Sequence, residues 1–137
     1  MENRVIKFRV WDKPTKSWLK TYFADPINGY KALPYQSISQ FTGLNDGKGG
    51  EVFEGDIFEI MFKNCPDGFM ILGQKTVTTL VNGVVVFKFG GFHVEFTHPD
   101  TKELSYVELF KLLKNDEKVV IGNIYENPKL VSNGRDQ

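Results

Sequence analysis

The sequence predicts a mainly-β protein, a small barrel with additional N-terminal strands and one short helix. Three observations carry that expectation. Aromatic residues make up 14% of the chain, led by 12 Phe, and 13 Gly accompany them. That composition suits short strands joined by tight turns better than long helices. Several short runs alternate apolar and polar residues, which is the strand period. Gly, Pro, Asn and Asp cluster between those runs, as turns require. Closing the sheet into a barrel removes exposed strand edges. At 137 residues one domain is expected over residues 1–131, with 132–137 a flexible tail.

Arg4 to Trp11 alternates cleanly: Ile6, Phe8 and Val10 share one face, and Lys7, Arg9 and Trp11 share the other. Asp12 to Ser17 supplies turn chemistry, and Trp18 to Phe23 reads as the returning strand. Pro26, Asn28, Gly29 and Pro34 break any periodicity between Ala24 and Tyr35. A short strand with Ile38 and Phe41 follows, then the glycine-rich turn Asn45 to Gly50. Asp56 to Phe62 is the next strand, closed by the turn at Pro66 and Asp67-Gly68. Asn82-Gly83, flanked by β-branched runs, carries the two-residue type I′ hairpin signal. Gly90-Gly91 then permits a second reversal, so residues 75–97 read as a three-strand meander. Ser105 and Glu108 have capping-box spacing ahead of Leu109, Phe110, Leu112 and Leu113, which predicts a helix of a little over two turns. Lys118 to Tyr125 reads as a final strand.

Composition excludes several function classes. Net charge is zero, so no global field steers the chain towards nucleic acid or anionic lipid. Locally, residues 1–31 carry seven Lys or Arg against three acids, and residues 45–60 carry five acids against one Lys. The basic arm and the acidic middle are suited either to pairing inside the fold or to forming a weak binding face. One cysteine, Cys65, excludes an internal disulfide and a cysteine zinc site. The first residues contain no apolar signal region, and no apolar run approaches membrane-spanning length. A soluble, cytoplasmic protein without membrane contact is expected.

Four stretches carry residue types suited to chemistry. Glu54, Asp56 and Glu59 put three carboxylates in one short stretch, but strand alternation sets 54 and 56 on one side and 59 on the other. They do not converge on one ion or one scissile bond, and the loop before them lacks the ligand order of an EF-hand. The favoured reading makes Gly55-Asp56 a turn at a strand entrance, the carboxylate accepting backbone N–H bonds from the loop before it. Gly43 to Gly50 fails the spacing of a phosphate-binding loop. His93 and His98 point to opposite faces of a regular strand, with Glu95 on the His93 side, and no metal triad or Ser-His-Asp set assembles. Cys65 precedes Pro66 in a turn with Lys63 nearby, a setting that permits a depressed thiol pKa, although a lone loop cysteine is usually incidental.

Aromatic-basic interleaving offers more. Lys7, Arg9 and Trp11 on one strand face resemble the way a sheet presents cations and a stacking ring to single-stranded bases. Phe87, Lys88 and Phe89 repeat the pattern, although Phe87 and Phe89 alternating away from Lys88 is also ordinary core-in, solvent-out construction.

Three segments together resemble the YopX protein family of phage and prophage genomes. They are Val5 to Asp12 (VIKFRVWD), Gln40 to Ile60 (QFTGLNDGKGGEVFEGDIFEI) and Val119 to Leu130 (VVIGNIYENPKL). The resemblance implies a mainly-β fold whose later part is like an SH3-type barrel, and a phage or prophage origin in a bacterial cytoplasm. It carries no established activity and no catalytic residues onto any position. The expected function is therefore that of an accessory module binding a host or phage protein through a sheet face or edge, and not an enzyme, with no cofactor and no metal. Single-stranded nucleic-acid binding through Lys7, Arg9, Trp11 and Lys88 is the alternative. A hydrolase built on Glu54, Asp56 or His93 is the weakest reading.

Overall fold

The computed structural model describes residues 6–19, 34–64, 77–114 and 117–132. Nine strands and two short helices occur among them: β1 Phe8–Asp12, β2 Ser17–Leu19, β3 Gln36–Asn45, β4 Glu51–Phe53, β5 Asp56–Asn64, β6 Val77–Lys88, β7 Gly91–Thr97, β8 Leu104–Glu108, α1 Leu109–Leu113, β9 Gly122–Asn123 and α2 Lys129–Ser132. The expected turn at Cys65 to Gly68, most of the loop at 24–35 and the last five residues lie outside the described residues.

The chain is mainly β, with curled sheets. The first sheet has order β2-β1-β3-β4 and the second β8-β7-β6-β5-β9. The ladders are antiparallel throughout. Alternation fills the core: Phe58 and Ile60 on β5, Val85 on β6, and Val94 and Phe96 on β7 face Val52 and Leu109. Partly buried Leu44, Phe62, Phe92 and Val107 extend that cluster. Burying each of the large side chains contributes about 1.5–3 kcal/mol.

Three sequence expectations give way here. Asn82 and Gly83 do not turn; they lie inside β6, with Asn82 opposite Glu59 and Gly83 opposite Phe58. A Cβ at Gly83 would sit 2.5 Å from Val94 Cγ1 and 3.1 Å from Ile60 Cδ1. The glycine is there for close approach of β7 and β5, a role that Gly in a strand often fills. The type I′ turn falls instead at Phe89-Gly90, where φ is 56° and 77° and Lys88 pairs with Gly91. The expected reversal at Gly90-Gly91 therefore shifts by one residue.

The capping box is the second. Ser105 and Glu108 belong to β8, Ser105 Oγ donates to Glu103 O (3.2 Å), and Glu108 makes no side-chain cap. Pairing with β7 claims Ser105 to Glu108, so α1 starts at Leu109 and is barely over one turn. The final strand shrinks likewise to β9, because Ile124 to Glu126 curl around the Asn123 side chain. That tight turn leads into α2, a short helix for which the sequence carried no expectation.

Candidate functional site

The three segments singled out above meet at one place, the junction of the two sheets. Asp56 opens β5 and is buried (3% exposed). Its Oδ2 accepts from Phe53 N–H (2.7 Å) in the preceding turn, and its Oδ1 accepts from Arg9 Nη2 (2.7 Å) on β1. The strand-entrance reading of Gly55-Asp56 is thus what the structure shows, with Arg9 as a partner that local sequence did not reveal. Gly55 has φ +87°, the left-handed region that favours glycine. The Tyr125 ring lies where a Gly55 Cβ would point, 2.7 Å from it. Ile124 N–H donates to Gly55 O (2.9 Å), fastening the C-terminal segment to this turn.

The face formed by Lys7, Arg9 and Trp11 points into this junction. Trp11 is buried (7% exposed). Its ring stands 5.0 Å from Trp18 and 6.2 Å from Tyr125. The Arg9 guanidinium stacks 4.0 Å from Trp18 and 4.5 Å from Phe53, and Nε donates to Ser39 Oγ (3.1 Å). Lys7 pairs with Glu51 and lies over the Phe41 ring. The basic arm and the acidic middle do pair inside the fold. Alternation grouped these side chains correctly but could not say which face meets water.

Electrostatics follow from this packing. Burial pushes the Asp56 carboxyl above its usual value, with Arg9 and the Phe53 N–H pulling the other way. Burial also raises Glu54, whose Oε1 accepts from Gln40 N–H (3.2 Å). Tyr125 is raised by burial and then by the Glu54 charge. Glu59 stands exposed on β5, away from both. Asn123 and Glu126 complete the junction. Asn123 Oδ1 accepts from Tyr125 and Glu126 N–H, while Glu126 accepts from Asn123 Nδ2 (3.0 Å) and Trp18 Nε1 (3.2 Å). An Asn two residues before a curl carries an Asx-turn signal, which strand alternation masked.

The histidines serve local structure. His98 Nδ1 accepts from Asp100 N–H (3.1 Å), and its ring packs 5.1 Å from Phe62. His93 Nδ1 lies 3.2 Å from Gly91 O. Among the described residues, no three His, Cys, Asp or Glu side chains gather as a metal ion would require. Cys65 lies outside those residues.

Lys88 is elsewhere, at the β6–β7 turn of the second sheet. It donates to Tyr106 Oη (2.9 Å) and to Glu95 Oε2 (3.2 Å), and those bonds hold its ammonium above its usual pKa. Next to it Phe89 is 76% exposed and Phe87 is 54% exposed. Phe89 stands edge-to-face on His93 (5.5 Å) and Tyr106 (5.2 Å). Phe87 meets Phe92 at 5.1 Å. Glu108 pairs with His93, so α1 begins level with this end of the sheet and brings Phe110, 58% exposed, with Lys111 and Lys114. The result is an aromatic end flanked by cations. The sequence singled out Phe87, Lys88 and Phe89 as aromatic-basic interleaving, with plain core-in, solvent-out construction as the other reading, whereas Phe110 read only as part of a helix pattern.

The fold and its junction define a class first: a mainly-β, two-sheet protein clasped through a buried Arg–Asp pair. The family model described as YopX protein matches residues 23–132. The chain belongs to the YopX protein family. The first of the three segments, Val5 to Asp12, precedes the matched span. Among solved structures, the crystal structure of protein EF1440 from Enterococcus faecalis is similar, at 25% identity and a TM-score of 0.54. The similarity covers 94% of this chain and 99% of that one. No curated protein matches the chain. Among the described residues no helix is long and apolar enough to cross a membrane.

Proposed function

We propose that this is a phage- or prophage-encoded accessory protein of the bacterial cytoplasm that binds a partner protein, and is not itself an enzyme. The β5–β9 sheet, read as an SH3-like unit, would present the binding end. One observation carries the reading. Phe89 occupies a left-handed position that Asn or Gly fills more cheaply, yet it is kept there with its ring largely in water. A backbone cost of roughly 1–2 kcal/mol at an exposed aromatic points to a use outside the fold. Aromatic anchors beside cations are what partner surfaces favour.

The test uses Phe89→Asn, which suits a type I′ turn and removes the ring. Tagged wild type and variant are used to capture partners from a lysogenic host at two salt concentrations, read for protein and nucleic acid. The expected result is a protein recovered by wild type and lost by the variant. Retention of that protein by Phe89→Asn overturns the reading. Recovery of nucleic acid with steep salt dependence would favour the alternative instead, although Lys7, Arg9 and Lys88 are all engaged in internal ion pairs.

A further inference from the structure

β8 is the end strand of the second sheet, and among the described residues it has no neighbour beyond β7. Its backbone parity can be read from one bond. His98 N–H donates to Glu103 O (2.9 Å), and Thr97 pairs with Leu104. Position 103 is therefore a hydrogen-bonded one, and so are 105 and 107 in turn. Leu104, Tyr106 and Glu108 are left with N–H and C=O directed away from β7, towards the open edge. An edge of that kind is a template for another strand, and native proteins usually blunt it with Lys, Pro or a bulge. Leu104 to Glu108 contains none of these, and Leu104 is 52% exposed.

We propose that β8 pairs antiparallel with β8 of a second copy of this chain, with Ser105 on the two-fold axis. The strand is self-complementary in that register. Leu104 of each copy faces Tyr106 of the other, and these are positions whose backbone groups point outward. Lys102, in the left-handed turn just before the strand (φ 62°), lies at the same end of the paired strands as Glu108 of the other copy, within reach of a long lysine side chain. Both are exposed, and no hydrogen bond or ion pair engages either side chain among the described residues. Two-fold symmetry makes that opposite-charge contact twice, the self-complementarity of an isologous interface. The small Ser105 side chains meet at the axis, where non-hydrogen-bonded pairs bring side chains closest. The product is a single sheet running through both copies. This edge is distinct from the Phe87–Phe89 surface and goes beyond the partner reading above.

A strand this short covers less area than stable dimers bury, so the association is weak and concentration-dependent. Sedimentation equilibrium of the full chain, from about 10 μM to about 1 mM, is expected to show monomer passing to dimer. Lys102→Glu or Glu108→Lys alone is expected to weaken dimerisation roughly tenfold, since each reversal acts twice. The double reversal Lys102→Glu with Glu108→Lys is expected to restore it. Leu104→Pro, which deletes an outward N–H and leaves the β7 bonds in place, is expected to abolish it while circular dichroism stays that of wild type. A monomer at every concentration overturns the proposal. A dimer indifferent to the single reversals, or one the double reversal does not restore, overturns it equally.

Discussion

The sheet junction and the aromatic end are written in similar sequence, KFRVW in one and VFKFGGF in the other, yet one is buried and the other is largely exposed. At the junction, Arg9 lies between two rings and its charge meets a buried carboxylate. At the end, Lys88 is half in water, and Phe87 and Phe89 are largely exposed. What separates them is the element opposite. β1 faces the turn at Glu54-Gly55 and the Tyr125 segment, whereas the β6–β7 turn reaches past the end of β8. Aromatic-basic interleaving therefore predicts that cations will touch rings, and the distant chain decides whether that contact is buried.

The comparison can be broken most sharply at Asp56. Asp56→Ala leaves Arg9 buried without its carboxylate and Phe53 N–H without its acceptor. Unfolding in denaturant should show a loss of about 3–5 kcal/mol; a midpoint unchanged from wild type would remove the junction from any structural role. Gly83→Ala tests the core beneath both regions and should cost about 1–3 kcal/mol by overpacking. Combining it with Val94→Ala should recover part of that loss, because the clash is with Val94 Cγ1. Simple additivity of the two would argue against close approach as the reason for glycine.

Phe89→Asn should be nearly silent in the same assay, within about 1 kcal/mol of wild type. A relaxed turn offsets the lost contacts to His93 and Tyr106. A large destabilisation would turn the aromatic end into a second structural core. The smallest effect belongs to Glu54. Its folded-state pKa is raised above the ordinary value of 4.5. Its contribution is therefore full below that pH and is lost as pH rises through the folded pKa. The stability of Glu54→Gln relative to wild type should accordingly increase between about pH 4 and pH 7. A difference that stays flat with pH would mean Glu54 is fully solvated.

How much was legible follows from the same physics. Strand alternation located β1, β3, β5 and β7, because apolar side chains recur at every second position there, although β1, β5 and β7 are covered on both faces for part of their length. The turn at Gly55-Asp56 was readable because a left-handed glycine and an Asx acceptor leave local marks. Asn82-Gly83 misled because the hairpin signal is local, whereas the demand for a bare Cα came from Val94 and Ile60 on neighbouring strands. Ser105 and Glu108 misled for a related reason: ladder pairing with β7 outweighs a capping box. Arg9–Asp56 spans 47 positions, and Tyr125 over Gly55 spans still more. No periodicity reports such contacts, although the charge asymmetry between arm and middle did suggest that the two would meet.

The Asp46 carboxylate has a consequence for the order of assembly. It accepts from Lys48 and Gly50 N–H inside its own loop, and Oδ2 also accepts from Val120 N–H (3.0 Å). Burial raises its pKa, and those N–H bonds outweigh the effect and hold it low. Gly47 N–H reaches Lys118 O (2.7 Å) as well. The glycine loop is therefore latched by a segment about 70 residues away, a costly closure compared with the adjacent β6–β7 hairpin. Refolding should lay down the hairpin early and close the latch late. In pulse-labelled hydrogen exchange, the amides of Val85 and Val94 should gain protection before that of Val120, and the reverse order would place the latch in the folding nucleus.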